Sequence, residues 1–282
     1  MSTSEPDPLR AITYLSPGLP RELFELVCAH VGAALGRAVL LEEDSRTSGP
    51  MHAEADPFAP GADGAPPRAD LGFVCSPSYL WLRDQARPSV ELVPAGFVFR
   101  DPRHGREPVY WSELIVNAQH PACSLADLEG RMWGYNDDCS LSGHFAVLQE
   151  LSARGFGPDF FAAHVVTGSH RASVEAVLRG SIDGAAIDST VLARLRREYP
   201  ELGTRLRVLE SFGPYPIQPI VLRGELAPDL GAPLAAALLR LGEDPAQAER
   251  LAAFDLIGCA PLDDGAYEAE RRALRELGKL PG

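Results

Sequence analysis

Short apolar runs alternate along this chain with stretches whose apolar positions recur every three or four residues, which is how strands exchange with amphipathic helices. Residues 11–15 predict a first strand, 20–35 a helix ending near Gly36, and 38–42 a second strand. Residues 69–75 predict a third strand, and Ser76-Pro77-Ser78-Tyr79 opens the next helix with serine caps and an early proline. A strand pair or one bent strand is expected over 90–99, a β-rich run over 109–117, a short capped helix over 124–128, a strand over 131–135 and a helix over 143–154. Short strands at 164–166 and 185–187 flank a helix over 171–179, and 205–210 reads as a strand leaving that region. Helices at 230–241, 246–254 and 267–277 close the chain, so the fold class is α/β.

Residues 44–68 break this rhythm. They are rich in Pro, Gly, Ala and acidic residues without periodicity, and they predict a long, partly mobile loop of the kind used as a lid or a ligand-facing element. A chain of 282 residues otherwise suits one large domain or two lobes. The net charge of −13 argues against a nucleic-acid partner, because phosphate backbones are held by clustered Lys and Arg. It leaves room for a small anion, since distant charges are screened beyond roughly 8–10 Å. No uninterrupted apolar run reaches the roughly 20 residues a membrane span needs. The first ten residues carry no apolar leader, so the chain as given is expected in the cytoplasm, and outside it if an export segment precedes this start.

Five scattered cysteines without a CxxC pair read as reduced thiols, with Cys28, Cys75 and Cys259 as small core residues. The seven histidines show neither HExxH nor HxH spacing, so no metal is expected; no GxGxxG or GxxxxGK[ST] appears, and no cofactor is implied.

The chemistry gathers between 127 and 188. Asn136-Asp137-Asp138-Cys139-Ser140-Leu141-Ser142-Gly143-His144 runs into a helical pattern, and Thr167-Gly168-Ser169-His170 opens a second helix. Hydroxyls, free backbone N–H groups and the positive end of a helix dipole in one place form an anion pocket. Ser140 and Ser142 read either as plain N-caps or as donors to a ligand. Asp188 reads either as the cap of the following helix or as a ligand contact. Tyr79 and Tyr110 are core or ligand residues. Cys139, beside a helix start, is a candidate for a lowered pKa.

These segments resemble, in order and spacing over about half the chain, the phosphate, phosphite and phosphonate substrate-binding proteins of ABC transporters. The matching residues are 69–73 with Pro77-Ser78-Tyr79, Tyr110 with Leu114-Ile115-Val116, 125–130, Ser140-Leu141-Ser142-Gly143, Ser169-His170 and 177–185. The resemblance implies a two-lobed type II periplasmic-binding-protein-like fold with two crossover hinge strands, the ligand closing in the interlobe cleft. Lobe 1 would comprise 1–104 and 208–282, and lobe 2 would comprise 105–207. It further implies hydroxyl donors at Ser140 and Ser142, a backbone donor alone at Leu141 where relatives commonly have threonine, and a donor at His170. Tyr110 would line the cleft, Ser76, Ser78 and Tyr79 would contribute from lobe 1, and Asp188 would read the ligand's substituent. Thr190 stands where aminoalkylphosphonate binders carry a carboxylate, which speaks against a cationic amine on the ligand.

The expected function is thus binding of a small oxyanion, most simply phosphate, phosphite or a phosphonate. No catalytic residue is expected, and an ABC-transporter permease is the partner if the protein is exported. The alternative is a cytoplasmic lyase or biosynthetic enzyme on the same fold, acting on a small carboxylate or phosphorylated metabolite, with His170 and Asp188 as its acid–base pair. A third reading is a sensing subunit that reports the anion to a partner protein.

Overall fold

The computed structural model describes residues 6–280 apart from Pro17; residues 1–5, on which half of the leader reading rests, lie outside them. The chain forms two compact units, Met1–Val109 with Pro216–Gly282 and Tyr110–Tyr215.

The first unit opens with β1 (Leu9–Thr13), α1 (Arg21–Leu35), β2 (Val39–Glu43), β3 (Leu71–Phe73), α2 (Ser76–Arg83), β4 (Val90–Leu92) and β5 (Gly96–Phe99). The chain enters the second unit along β6 (Val109–Asn117). There it forms β7 (Met132–Tyr135), α3 (Ala146–Ala153), β8 (Ala163–Val166), α4 (His170–Arg179), β9 (Gly184–Asp188), α5 (Ser189–Glu198) and α6 (Leu202–Arg205). It returns along β10 (Leu206–Pro216) to complete the first unit with β11 (Ile220–Arg223), α7 (Ala227–Leu239), α8 (Pro245–Ala252), β12 (Leu256–Ala260) and α9 (Glu268–Glu276).

In the first unit the sheet order is β2-β1-β3-β11-β4, with β1 parallel to both neighbours and β11 antiparallel to both of its own. Strand β1 is buried apart from Arg10, as expected of a parallel strand covered on both faces. Helix α1 buries Leu23, Phe24, Val27, Cys28 and Val31, one stripe at helical spacing. Its Phe24 ring meets Phe73 at 4.9 Å, and Phe73 stacks on Phe97 at 6.0 Å. Asp70, just before β3, is buried and receives both Arg10 of β1 and Arg223 of β11 at 3.1 Å. Burial alone would raise its pKa, but the hydrogen bonds from Arg10 and both guanidinium charges hold it below the usual carboxylate value.

The expected strand pair at 90–99 is two strands in different sheets. Pro94 lies between them and cannot donate to a ladder, so β4 joins the large sheet while β5 pairs antiparallel with β12. Strand β12 escapes a reading of periodicity because Gly258 interrupts its register with β5. The serine-capped start of α2 is also corrected: Cys75 occupies the cap position and no side chain caps the helix. Residues 44–68 are irregular but for one turn at Ala53–Ala55, and with Tyr14 they line a cavity of about 740 Å³. Asp44, pulled below its usual pKa chiefly by its hydrogen bonds from Arg46, anchors the near end of that loop.

The second unit's sheet runs β10-β6-β9-β7-β8, with β7 parallel to β8 and β9, and β6 antiparallel to β9. Behind β9, Val174 and Val177 of α4 pack with Ile187 and with Val191, Leu192 and Leu195 of α5. Trp133 stacks on Phe161 at 4.7 Å.

Candidate anion site

At one edge of the second unit's sheet the parallel strands β7 and β9 end, at Tyr135 and Asp188, and antiparallel β6 begins. Carboxyl ends of parallel strands are where α/β sheets build ligand sites. The loop leaving β7 folds on itself: the Asp137 carboxylate accepts Cys139 N at 2.9 Å and Asn136 Nδ2 at 2.7 Å. Ser140 then caps the next helix by accepting Gly143 N at 3.1 Å. That helix begins at Leu141, not at Gly143 as the sequence suggests. Its first turn, Leu141–Phe145, is a wide π turn in which Phe145 N donates to Ser140 O at 3.1 Å.

Gly143 is required by close approach. A Cβ there would fall 1.9 Å from Asn136 Oδ1, and Asn136 is held by its bond to Asp137. Gly143→Ala is therefore expected to displace the Asn136 side chain or the helix start. It should lower both the melting temperature and anion affinity, as a thermal melt and a calorimetric titration would register.

The second helix start meets the first. Ser142 Oγ lies 3.2 Å from His170 Nε2, Ser169 Oγ caps α4 through Ala172 N at 3.1 Å, and the Thr167 and Ser173 hydroxyls are hydrogen-bonded to each other at 2.6 Å. Ser112 of β6 donates to Ser142 O at 2.7 Å and fixes that turn from below. Ser140 is 1 % and Ser142 3 % exposed, so a hydrogen bond made here is shielded from water.

His170 keeps part of its surface, yet its Nδ1 is enclosed and unpartnered, and burial pulls its pKa down to about 4. It is neutral at pH 7. Which of Ser142 Oγ and His170 Nε2 donates is set by the imidazole tautomer. The sequence placed His170 as a direct donor; in the structure it bonds to Ser142. Because protonation is easier in the unfolded chain, stability should fall as pH drops from about 6.5 through about 4 and be unaffected above. His170→Gln should remove that part of the slope, worth at most about 3.4 kcal/mol, in urea melts taken across that range.

The remaining candidates divide. Tyr110 is 1 % exposed, with its ring 6.2 Å from Tyr215. Asp188 Oδ1 accepts Thr190 N and Thr190 Oγ1, both at 2.7 Å, and so caps α5. Ser78 is buried at the start of α2 in the first unit, and among the described residues no partner is bonded to its hydroxyl. Tyr79 is committed elsewhere: its hydroxyl donates to Asp264 at 2.5 Å and its ring packs on Tyr267. Leu141 is buried and brings an apolar side chain to the π turn. The idea of a reactive Cys139 is corrected, because burial, with the charges of Asp137 and Asp138, pushes its thiol up to about 12. Sequence reasoning missed Ser112, although it stands two residues after Tyr110 and so on the same face of β6. Among the described residues no group of three His, Cys, Asp or Glu could hold a metal ion.

Two α/β units, exchanged through β6 and β10 and carrying paired helix starts at strand ends, define the type II periplasmic-binding-protein fold. The chain belongs to the family of periplasmic substrate-binding proteins of ABC phosphonate transporters, whose model matches residues 67–267. It is similar to PhnD1 from Prochlorococcus marinus, solved with methylphosphonate (19 % identity, 97 % of this chain and 99 % of that one, TM-score 0.78). It is likewise similar to a binding-protein component of an ABC phosphonate transporter from Pseudomonas aeruginosa (20 %, 97 % and 86 %, TM-score 0.77). The aliphatic sulphonate-binding protein SsuA of Escherichia coli shares the fold at 15 % identity over 98 % of this chain and 94 % of that one, with a TM-score of 0.61. Among the described residues no helix is long and apolar enough to cross a membrane.

Proposed function

We propose that this chain binds a small phosphorus oxyanion, most simply an alkylphosphonate, phosphate or phosphite, and presents it to an ABC-transporter permease outside the cytoplasmic membrane. The observation that carries this reading is the Ser142–His170 contact, which joins two helix starts into one cluster of donors. Ser140 and Ser142 are the hydroxyl donors of the second unit. Tyr110 and Asp188 are assigned to the ligand's surroundings, with Asp188 engaged mainly as a cap.

No cationic side chain is needed. Backbone and hydroxyl donors at helix starts, with the macrodipole behind them, suffice for an oxyanion that has lost its water. Arg171, next to His170, turns instead to Glu175 at 3.2 Å and to the Tyr199 ring. The phosphonate class is favoured by the family and by the methylphosphonate held by the Prochlorococcus protein.

A thermal-shift screen against methylphosphonate, ethylphosphonate, phosphate, phosphite, sulfate and ethanesulfonate tests the reading. A ligand at 100 times its Kd stabilises by about 2.7 kcal/mol, so a true ligand moves the transition clearly. A shift confined to phosphorus oxyanions supports the proposal, and a shift with sulfonates alone replaces it.

A further inference from the structure

The helix that follows Ser140 starts one residue out of α-helical register. In an α-helical turn Ala146 N would donate to Ser142 O, four residues back; here it donates to Leu141 O, five residues back. Phe145 N likewise reaches back to Ser140 O at 3.1 Å. The wide turn Leu141–Phe145 runs straight into the regular helix Ala146–Ala153, so the departure is confined to the turn that brings Ser142 to His170. Ser142 is 3 % exposed, and a buried carbonyl deprived of its α-helical donor needs another. It receives the Ser112 hydroxyl at 2.7 Å. Ser112 is itself fully buried on β6, opposite Asp188 in the antiparallel register of β6 with β9. One side-chain hydroxyl from a neighbouring strand thus replaces the backbone donor that the π turn withholds.

We propose that Ser112 is a positioning residue for anion binding: it holds the turn over Leu141–Phe145 in its wide register, and that register sets the place of the Ser142 hydroxyl. Without the Ser112 hydroxyl, the α-helical bond from Ala146 N restores a partner to Ser142 O. That shift tightens the turn and re-aims the Ser142 side chain away from His170 Nε2. The Ser112 hydroxyl bonds the main chain of Ser142 and not its side chain, so the bond survives in Ser142→Ala. Single π turns of this kind recur at functional sites, where a side chain must be placed off the α-helical path. This inference rests on the assignment of Ser142 to the ligand, as proposed above.

A double-mutant cycle tests it, run by calorimetric titration with methylphosphonate on wild type, Ser112→Ala, Ser142→Ala and the double variant. Ser112→Ala should bind about tenfold more weakly than wild type, the loss of about one hydrogen bond to the anion. In the Ser142→Ala background the same change should alter affinity by less than about twofold, because the hydroxyl that Ser112 places is gone. A residue that merely supported the fold would weaken both backgrounds alike. The register itself is read in the free, deuterated protein by NMR couplings across hydrogen bonds. Wild type should correlate Ala146 N with the Leu141 carbonyl carbon, and Ser112→Ala should correlate it with that of Ser142.

Wild-type affinity in Ser112→Ala, equal losses in the two backgrounds, or an unmoved Ala146 correlation in the folded variant overturns the assignment of Ser112 and leaves the ligand reading intact. No binding of methylphosphonate or inorganic phosphate to wild type, or wild-type affinity in Ser142→Ala, overturns the ligand reading, and this inference with it. If Ser112→Ala does not fold, Ser112→Cys runs the same cycle, its thiol being of similar size but a weak donor.

Discussion

Replacing Ser140 and Ser142 together by alanine is expected to weaken methylphosphonate binding by roughly two orders of magnitude or more. A hydrogen bond to a charged group contributes about 1.5–3 kcal/mol, and each 1.4 kcal/mol is a factor of ten in affinity. Both hydroxyls lie in the same buried turn. Ser140 caps the helix through Gly143 N, so its loss also costs about 1 kcal/mol of stability. Ser142 caps nothing; its Oγ meets His170, and Ser142→Ala therefore isolates the ligand effect. Calorimetry on the double variant and on Ser142→Ala, with melts as a control for folding, measures both. Unchanged affinity in a folded double variant would remove this turn from the site.

Arg271→Ala is expected to give the largest loss of stability, about 3–5 kcal/mol, seen as a lower urea midpoint with an unchanged slope. The guanidinium is 8 % exposed and ties α9 to Asp84 at the end of α2 and to Asp264, as well as to Glu268 in its own helix. Its removal leaves two partly buried carboxylates facing each other's elements without their main cation. Arg275 still reaches Asp84 and Tyr79 still donates to Asp264, which places the expected cost toward the lower end. A change too small to detect would mean that α9 is held by packing of Leu274 and Tyr267 alone.

The alternation of short apolar runs with helical stripes was enough to place β1, α1, β2, β6, α4 and β9 within a residue or two, because the period of each is undisturbed by proline and, in β2, alternates cleanly between half-buried and exposed. What escaped was set by tertiary pairing. Strand β12 has meaning only against β5, and the division of 90–99 depends on which sheet each half can reach. In the site, the helix starts at Ser140 and Ser169 were legible from their capping residues. The π turn was not, because no local propensity distinguishes it from an α-helical turn. Tyr79 stood open between core and ligand residue in the sequence, and only the fold brings it to Asp264, 185 residues away, which accepts its hydroxyl.

The central claim is that the starts of two helices in the second unit hold a phosphorus oxyanion, and the most direct test is an NMR titration of the uniformly labelled protein with methylphosphonate. The expected result is saturable shifts of the amide resonances, largest over Ser140 to Gly143 and over Ser169 to Arg171, together with the ring resonances of His170. Saturable shifts centred elsewhere in the second unit, or none at millimolar methylphosphonate, would contradict it.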